Sequence, residues 1–253
     1  MVQILGIPVY EGSAREAIAS VIATCTGPAP RANRLISATG AHGLVHAQKD
    51  RLFAEALHAF DLNLPDGMPS VWVGRFLKGA SRMERIRGPD FFRDLIRASG
   101  PTPIRHFLCG GKEGVADTLA AACRDEFAND HVVGTYCPPF RPLTDADWDE
   151  LAGRIATSRA DIVWIGLSTP KQELFARELA KRVRVHYIAT VGAAFDFHIG
   201  AFPEAPPWMQ RAGLEWFYRM CHDPKRLVRR YAEVVPMFML YNLRELIRSE
   251  RMQ

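Results

Sequence analysis

Short apolar runs alternate with longer amphipathic ones along most of this chain, and that alternation narrows the folds open to it more than any other feature. Strand-like runs fall at Ile4–Val9, Arg34–Ala38, Ile104–Cys109, His131–Tyr136, Asp161–Ile165 and Val185–Val191. Helical periodicity marks Ala14–Cys25, Gly114–Phe127, Asp145–Ser158 and Lys171–Lys181. Strands that take turns with helices of this length predict βαβ units and a mainly parallel α/β sheet flanked by helices. Ligands of such sheets bind outside the carboxyl ends of the strands. The loops after Ala38, Cys109, Ile165 and Val191 are therefore where a site is expected.

At 253 residues the chain is long enough for one large domain and a small addition. The pattern changes near Gly200. Residues 202–207 carry three prolines, which stop regular structure, and beyond them the chain reads as short helices punctuated by Pro224 and Pro236. This predicts a body over 1–200 and a helical appendage over 201–253. Five dispersed cysteines with no C-x-x-C pair predict reduced thiols and offer no zinc site. No apolar stretch reaches the ~20 residues of a bilayer span. The start, Met1–Val9, lacks the basic lead and long apolar stretch of a signal peptide, so the chain is expected on the cytoplasmic side.

The appendage carries the charge. Between Trp208 and Arg251 stand nine basic and five acidic residues, which accounts for the whole net charge of +4. Arg211, Arg219, Lys225, Arg226, Arg229 and Arg230 are interleaved with Trp208, Trp216, Phe217 and Tyr218. Aromatic rings among basic side chains suit the headgroup level of an anionic membrane. The plainer reading is a solvated basic helix face. Trp216 and Leu227 can equally pack on a core, and the amphipathic Met237–Ile247 suits a membrane interface or an oligomer contact. Nucleic acid fits less well, because the basic residues lie among many apolar ones.

Several loops pair a structural reading with a chemical one. Leu64-Pro65-Asp66-Gly67-Met68-Pro69 is turn-forming, and Asp caps helices, but a carboxylate there also meets the need of a general base. In Glu84-Arg85-Ile86-Arg87-Gly88-Pro89-Asp90, Arg85 can hold a phosphate, Glu84 can orient it, and Asp90 can cap a helix from Phe91. Cys109-Gly110-Gly111-Lys112-Glu113-Gly114 is a tight strand-to-helix turn of the kind that brings backbone N–H groups to a phosphate; it is neither a dinucleotide fingerprint nor a P-loop. Gly166-Leu167-Ser168-Thr169-Pro170-Lys171-Gln172-Glu173 opens a helix with Pro in its first turn. Gln172 offers an amide donor and acceptor, and Lys171 a positive charge. Asp196, after Val191-Gly192-Ala193-Ala194-Phe195, can bind a hydroxyl or anchor its own loop. Asp145-Ala146-Asp147 spells the Asp-x-Asp of metal-dependent transferases, but Thr144 with Asp147 three residues on reads as an acidic capping box.

In this order and at this spacing the motifs resemble the WecG/TagA/CpsF bacterial glycosyltransferases, most strongly over 64–90 and 164–231 and more loosely from about residue 5 to 245. The resemblance implies a Rossmann-like fold and a metal-independent, inverting transfer. The sugar would pass from a UDP-linked donor to a polyprenyl-diphosphate-linked sugar at the inner face of the bacterial membrane, with no cofactor. Asp66 then matches the family's proposed base. Thr39, Arg85, Gly110, Gly111, Lys171, Gln172 and Asp196 fall to substrate, and Arg211, Trp216, Arg219, Lys225, Arg226, Arg229 and Arg230 to the membrane and lipid diphosphate. The family commonly has Thr-x-Asn after the second strand. Thr39 matches, but Ala41 stands in the Asn position, which widens the donor to glucose, mannose or uronic acid. The other classes considered are a nucleotide-binding oxidoreductase, for which the fingerprint is absent, and a non-catalytic membrane adaptor.

Overall fold

The structure is a computed structural model in which residues 1–30 and 32–250 are described. In chain order the elements are β1 (Val2–Ile4), β2 (Ile7–Val9), α1 (Ala14–Cys25), β3 (Arg34–Thr39), α2 (Ala41–Ala47), α3 (Arg51–His58), β4 (Leu62–Pro65) and α4 (Met68–Trp72). A π-helical turn, Val73–Leu77, leads to α5 (Gly88–Ser99), β5 (His106–Gly110), α6 (Val115–Asp125), β6 (Val132–Tyr136) and α7 (Asp145–Ser158). Then come β7 (Ile162–Gly166), α8 (Lys171–Leu179), β8 (Tyr187–Thr190), α9 (Ala194–His198), α10 (Pro207–Arg211), α11 (Glu215–His222) and α12 (Pro224–Glu250).

Six strands form one parallel sheet in the order β4-β3-β8-β7-β5-β6. This is the expected α/β architecture, with two corrections. Ile4–Val9 is not a strand of that sheet. Leu5 and Gly6 adopt positive φ (51° and 74°), and this two-residue turn folds the run back as the antiparallel hairpin β1–β2. The second correction is β4, an edge strand where the sequence reading had only a loop. Its Asn63 is fully buried, and its amide donates to the carbonyls of Pro8 (3.0 Å) and Leu57 (2.9 Å).

Helices cover both faces of the sheet. On one, α1, α5, α6 and α9 pack around Trp164, which is fully buried. Phe92 meets the Trp164 ring edge-on at 4.9 Å, and the indole N–H donates to His106 Nδ1 at 3.1 Å, so the ring's one polar group is satisfied. On the other face, Leu151 and Ile155 of α7 and Phe175, Ala176 and Leu179 of α8 cover Val163 and Ile165. A third cluster joins the hairpin, α2 and α3 to Val234 and Phe238 of α12.

The helices after β5 and β8 lie on the first face, whereas the helix after β7 lies on the second. The chain therefore diverges on each side of the carboxyl end of β7, and crevices at such switch points are where α/β sheets bind ligands. The tail differs from expectation in one respect: Pro236 does not end a helix. It sits inside α12 on its exposed side. Among the described residues no helix is long and apolar enough to cross a membrane.

Candidate active site

Asp66 follows the last residue of β4. Its N–H donates to Thr39 O at 3.2 Å, which ties it to the end of β3. Gly40 makes this approach possible, because a Cβ there would fall 2.3 Å from Asp66 O. Gly67, at φ 117°, then turns the chain into α4. Asp66 keeps part of its surface accessible, yet it is packed deeply enough for desolvation to push its carboxyl up to about 6. The Glu215 carboxylate adds to the rise, and Arg87, Arg219 and Arg85 oppose it. A carboxylate in this range is ionised at neutral pH and still a competent proton acceptor.

The appendage supplies much of the charge around Asp66. Arg87, 2% exposed, pairs with both oxygens of Glu215: Nη2 to Oε1 and Nε to Oε2, each at 3.1 Å. Its Nη1 donates to Gln210 Oε1 (3.0 Å) and to Asp90 (3.2 Å) and stands 3.5 Å from Glu204. Arg85 donates from Nη1 to Gln210 O (3.1 Å) and to Glu215 Oε2 (3.3 Å). The guanidinium expected to meet phosphate is thus bonded to α10 and α11. Glu84 does not orient it, but accepts from Ala14 N at 3.4 Å. Asp90 does not cap its helix either, since α5 begins at Gly88 and Asp90 lies inside its first turn. Arg219 lies one turn along α11 from Glu215, with its guanidinium 5.4 Å from the Phe197 ring.

A second polar cluster sits at the ends of β3, β7 and β8. Gln172 is 1% exposed. Its amide donates to Thr169 Oγ1 (3.2 Å) and Glu173 Oε1 (2.9 Å), and its oxygen accepts from Gly192 N (3.0 Å). Both ends of the amide therefore fix the loops after β7 and β8. Glu173 Oε1 also accepts from Ser37 (3.2 Å) and Thr169 (2.9 Å), and Ser37 Oγ is 2.7 Å from Thr39 Oγ1. Burial raises the Glu173 carboxyl above its ordinary range.

Gly110 and Gly111 close the end of β5. A Cβ on Gly110 would meet Gly166 O at 2.6 Å, and the Gly111 N–H donates to that same oxygen at 3.0 Å. Lys171 is exposed at the start of α8, 5.7 Å from the ring of the fully exposed Phe140. Asp196 is half-buried on α9, where its carbonyl accepts from Ala201 N at 2.9 Å.

Of the tail residues, Arg211, Lys225 and Arg229 are exposed, and Arg219 and Arg230 half-buried. Arg226 lies on α12, and its side chain is outside the described ones. Trp216 packs edge-on against Tyr231 at 5.6 Å, while Trp208 and Phe217 stay exposed. Leu227 is buried. His42, next to the Ala41 departure, is pushed down to about 4 by burial, then by Arg230 and His46, and is neutral at pH 7. The Thr144–Asp147 capping box is formed in both directions, with Arg141 paired to Asp147. Among the described residues no group of three or more His, Cys, Asp or Glu is placed to hold a metal ion.

Sequence reasoning missed Arg87, Glu215, Gln210 and Glu173. Only the last stood inside a motif where burial was readable, beside Gln172 at the start of an amphipathic helix. Asp90 pairs with Arg87 from three residues away, but its partners Glu204 and Glu215 stand 117 and 128 residues away, beyond the reach of any local pattern.

Residues 2–252 match the model of the "Glycosyl transferase WecG/TagA/CpsF family". The chain is also similar to the N-acetylglucosaminyldiphosphoundecaprenol N-acetyl-beta-D-mannosaminyltransferase of Bacillus subtilis (strain 168), with 31% identity over 199 residues, or 79% of this chain and 75% of that one.

Proposed function

The chain belongs to the WecG/TagA/CpsF family of glycosyltransferases, and from that membership we propose that it moves a sugar from a UDP-linked donor to a polyprenyl-diphosphate-linked sugar, with inversion and without a metal ion. The relative's printed name, a transferase acting on a sugar-diphosphoundecaprenol, supports the acceptor class. The observation that carries the reading is Asp66. It is an aspartate at a strand's carboxyl end, held near 6, with Arg85, Arg87 and Arg219 close enough to pull against that rise.

In this reading Asp66 takes the proton of the acceptor hydroxyl as that oxygen attacks the anomeric carbon, and the donor's UDP leaves from the opposite side. The donor lies in the crevice at the end of β7. Thr39, the Gly110-Gly111 turn, Lys171, Gln172 and Asp196 line or brace its loops. Gln172 acts there by fixing the Gly192 loop, and Arg85 by seating the appendage. Leaving-group charge falls to Lys171 and to helix N-termini, and Arg219 with Arg211, Lys225, Arg226, Arg229 and Arg230 meets the lipid diphosphate and anionic membrane at the cytoplasmic face. The product class is an exopolysaccharide or wall-polymer precursor.

The test is a transfer assay with a lipid-diphosphate-linked monosaccharide and a panel of UDP-sugars, with and without chelator, wild type beside Asp66→Asn. Turnover with one donor, kept in chelator and lost in the variant, supports the reading and names the sugar. An Asp66→Asn protein that folds and turns over normally removes the base.

A further inference from the structure

Glu215 is the first residue of α11, and no motif reading gave it a role. It is 19% exposed, and its two oxygens are met by a two-point contact from Arg87 and a third bond from Arg85. Planar guanidinium-to-carboxylate contacts of this kind fix geometry as well as charge. Gln210 repeats the pattern from α10, with its carbonyl on Arg85 and its side-chain oxygen on both arginines. A further contact seats the same segment. Gly213, at φ 71°, brings its backbone so close to α4 that a Cβ would fall 2.8 Å from Trp72 and 3.0 Å from Met68. Trp72 and Met68 belong to the short helix that begins two residues after Asp66. Phe197 completes the node, its ring 5.9 Å from the Arg87 guanidinium and 5.4 Å from that of Arg219.

Resting on the Asp66 reading above, we infer that Glu215 is a positioning residue of the reaction: it keys α11 to Arg85 and Arg87, and so fixes the charges that surround Asp66. The groups that bear on Asp66 come from three places. Arg85 and Arg87 stand at the start of α5, Glu215 and Arg219 on α11, and Tyr231 on α12. Among the described residues that bear on Asp66, Glu215 is the carboxylate. It neutralises the two arginines that would otherwise hold Asp66 ionised and weakly basic, and it places Arg219 one helical turn further on. Losing its charge loosens the key, takes from Arg85 its Glu215 partner and leaves Arg87 opposed by Asp90 and Glu204 alone among the described residues.

The variant is Glu215→Gln, which keeps the shape. Two readouts are taken: hydrogen exchange of residues 207–222 in the unliganded full chain, and the pH profile of kcat/KM for transfer. The key predicts exchange in that segment faster by about tenfold or more, with the main sheet unchanged. It also predicts that the acid limb moves to lower pH, because removing a nearby negative charge lowers the Asp66 value. Glu215→Asp keeps the charge and recovers the wild-type limb. Wild-type exchange in Glu215→Gln, or a wild-type limb, overturns the inference. If Glu215→Gln does not fold, Arg85→Lys breaks the same node from its more exposed side, and unchanged exchange there overturns it too. The exchange readout needs no turnover, so it separates failure of the key from failure of the base: if Asp66→Asn stays active, the base is wrong whatever the exchange shows.

Discussion

Asp66→Asn should make the folded protein more stable at neutral pH while it abolishes transfer. Burial and Glu215 raise the Asp66 carboxyl from 3.8 to about 6. Between those values the folded chain holds a proton that the unfolded chain has released. Stability therefore falls as pH rises through this window, and the full penalty is in place above the folded value. At about 1.4 kcal/mol per pH unit, the rise corresponds to roughly 3 kcal/mol, which the partial solvent access of Asp66 discounts to about 1–3 kcal/mol. Asn keeps the shape and cannot ionise, so it escapes the penalty. For a chain of this size the gain amounts to roughly 2–6 °C in Tm. Thermal unfolding of both proteins at pH 7.5, 5 and 3.8 checks this. The advantage should be largest at pH 7.5, about half as large at pH 5, and nearly gone at the lowest pH. A variant less stable than wild type at pH 7.5 would refute the reasoning, because it would mean that Arg85, Arg87 and Arg219 stabilise the ionised form more than burial penalises it.

Three other outcomes follow from the geometry. Gly40→Ala must move the Asp66 carbonyl, which a Cβ would approach to 2.3 Å, and should lower kcat by tenfold or more (roughly 1.4 kcal/mol) while UDP affinity, read by calorimetry, stays within about threefold. Thr144→Ala removes the cap of α7 far from Asp66 and should cost about 1 kcal/mol in denaturant unfolding with kcat unchanged. Charge reversal at Lys225 and Arg229, both exposed, should release the protein from anionic vesicles; unchanged co-sedimentation at low salt would remove the membrane role of this face.

What could be read in advance was what the chain specifies locally. Helices α1 and α7 match their sequence ranges end to end because each is opened by a capping box, Ser13 with Glu16 and Thr144 with Asp147. The strands of the main sheet matched to within two residues except for the edge strand. β4 escaped because it has four residues, one of them a polar Asn63 whose burial depends on carbonyls of Pro8 and Leu57. The hairpin escaped because Leu5 in a positive-φ turn looks like any apolar residue in a strand. Pro236 was read as a break because a sequence does not say which side of a helix faces water. The site divides the same way. Asp66 was legible in a six-residue motif, but the acid that neutralises its arginines was not, since Arg87 meets Glu215 only after four strands of the sheet, β5 to β8, have been built between them. Gln172 was found as a polar group at a strand end, yet its commitment to Gly192 N depends on a loop that another strand delivers.

The third core has a consequence for how the molecule comes into being. Its members are the first hairpin, α2 and α3 at one end of the chain and Val234 and Phe238 at the other. Gln48 Nε2 donates to Leu5 O, and Leu5 N to Glu245, so the backbone of the hairpin is held in part by a side chain of α12. A ribosome making this protein would deliver the hairpin long before its cover exists. The six-stranded sheet can close while α12 is still in the exit tunnel, but the hairpin and α2 must wait with their apolar faces open. The charges around Asp66 wait with them, because Glu215 and Arg219 emerge only shortly before the helix that seals the core. Synthesis thus sets its own order of events: the scaffold first, the seal later, and the assembled site only after α11 and α12 have followed the sheet.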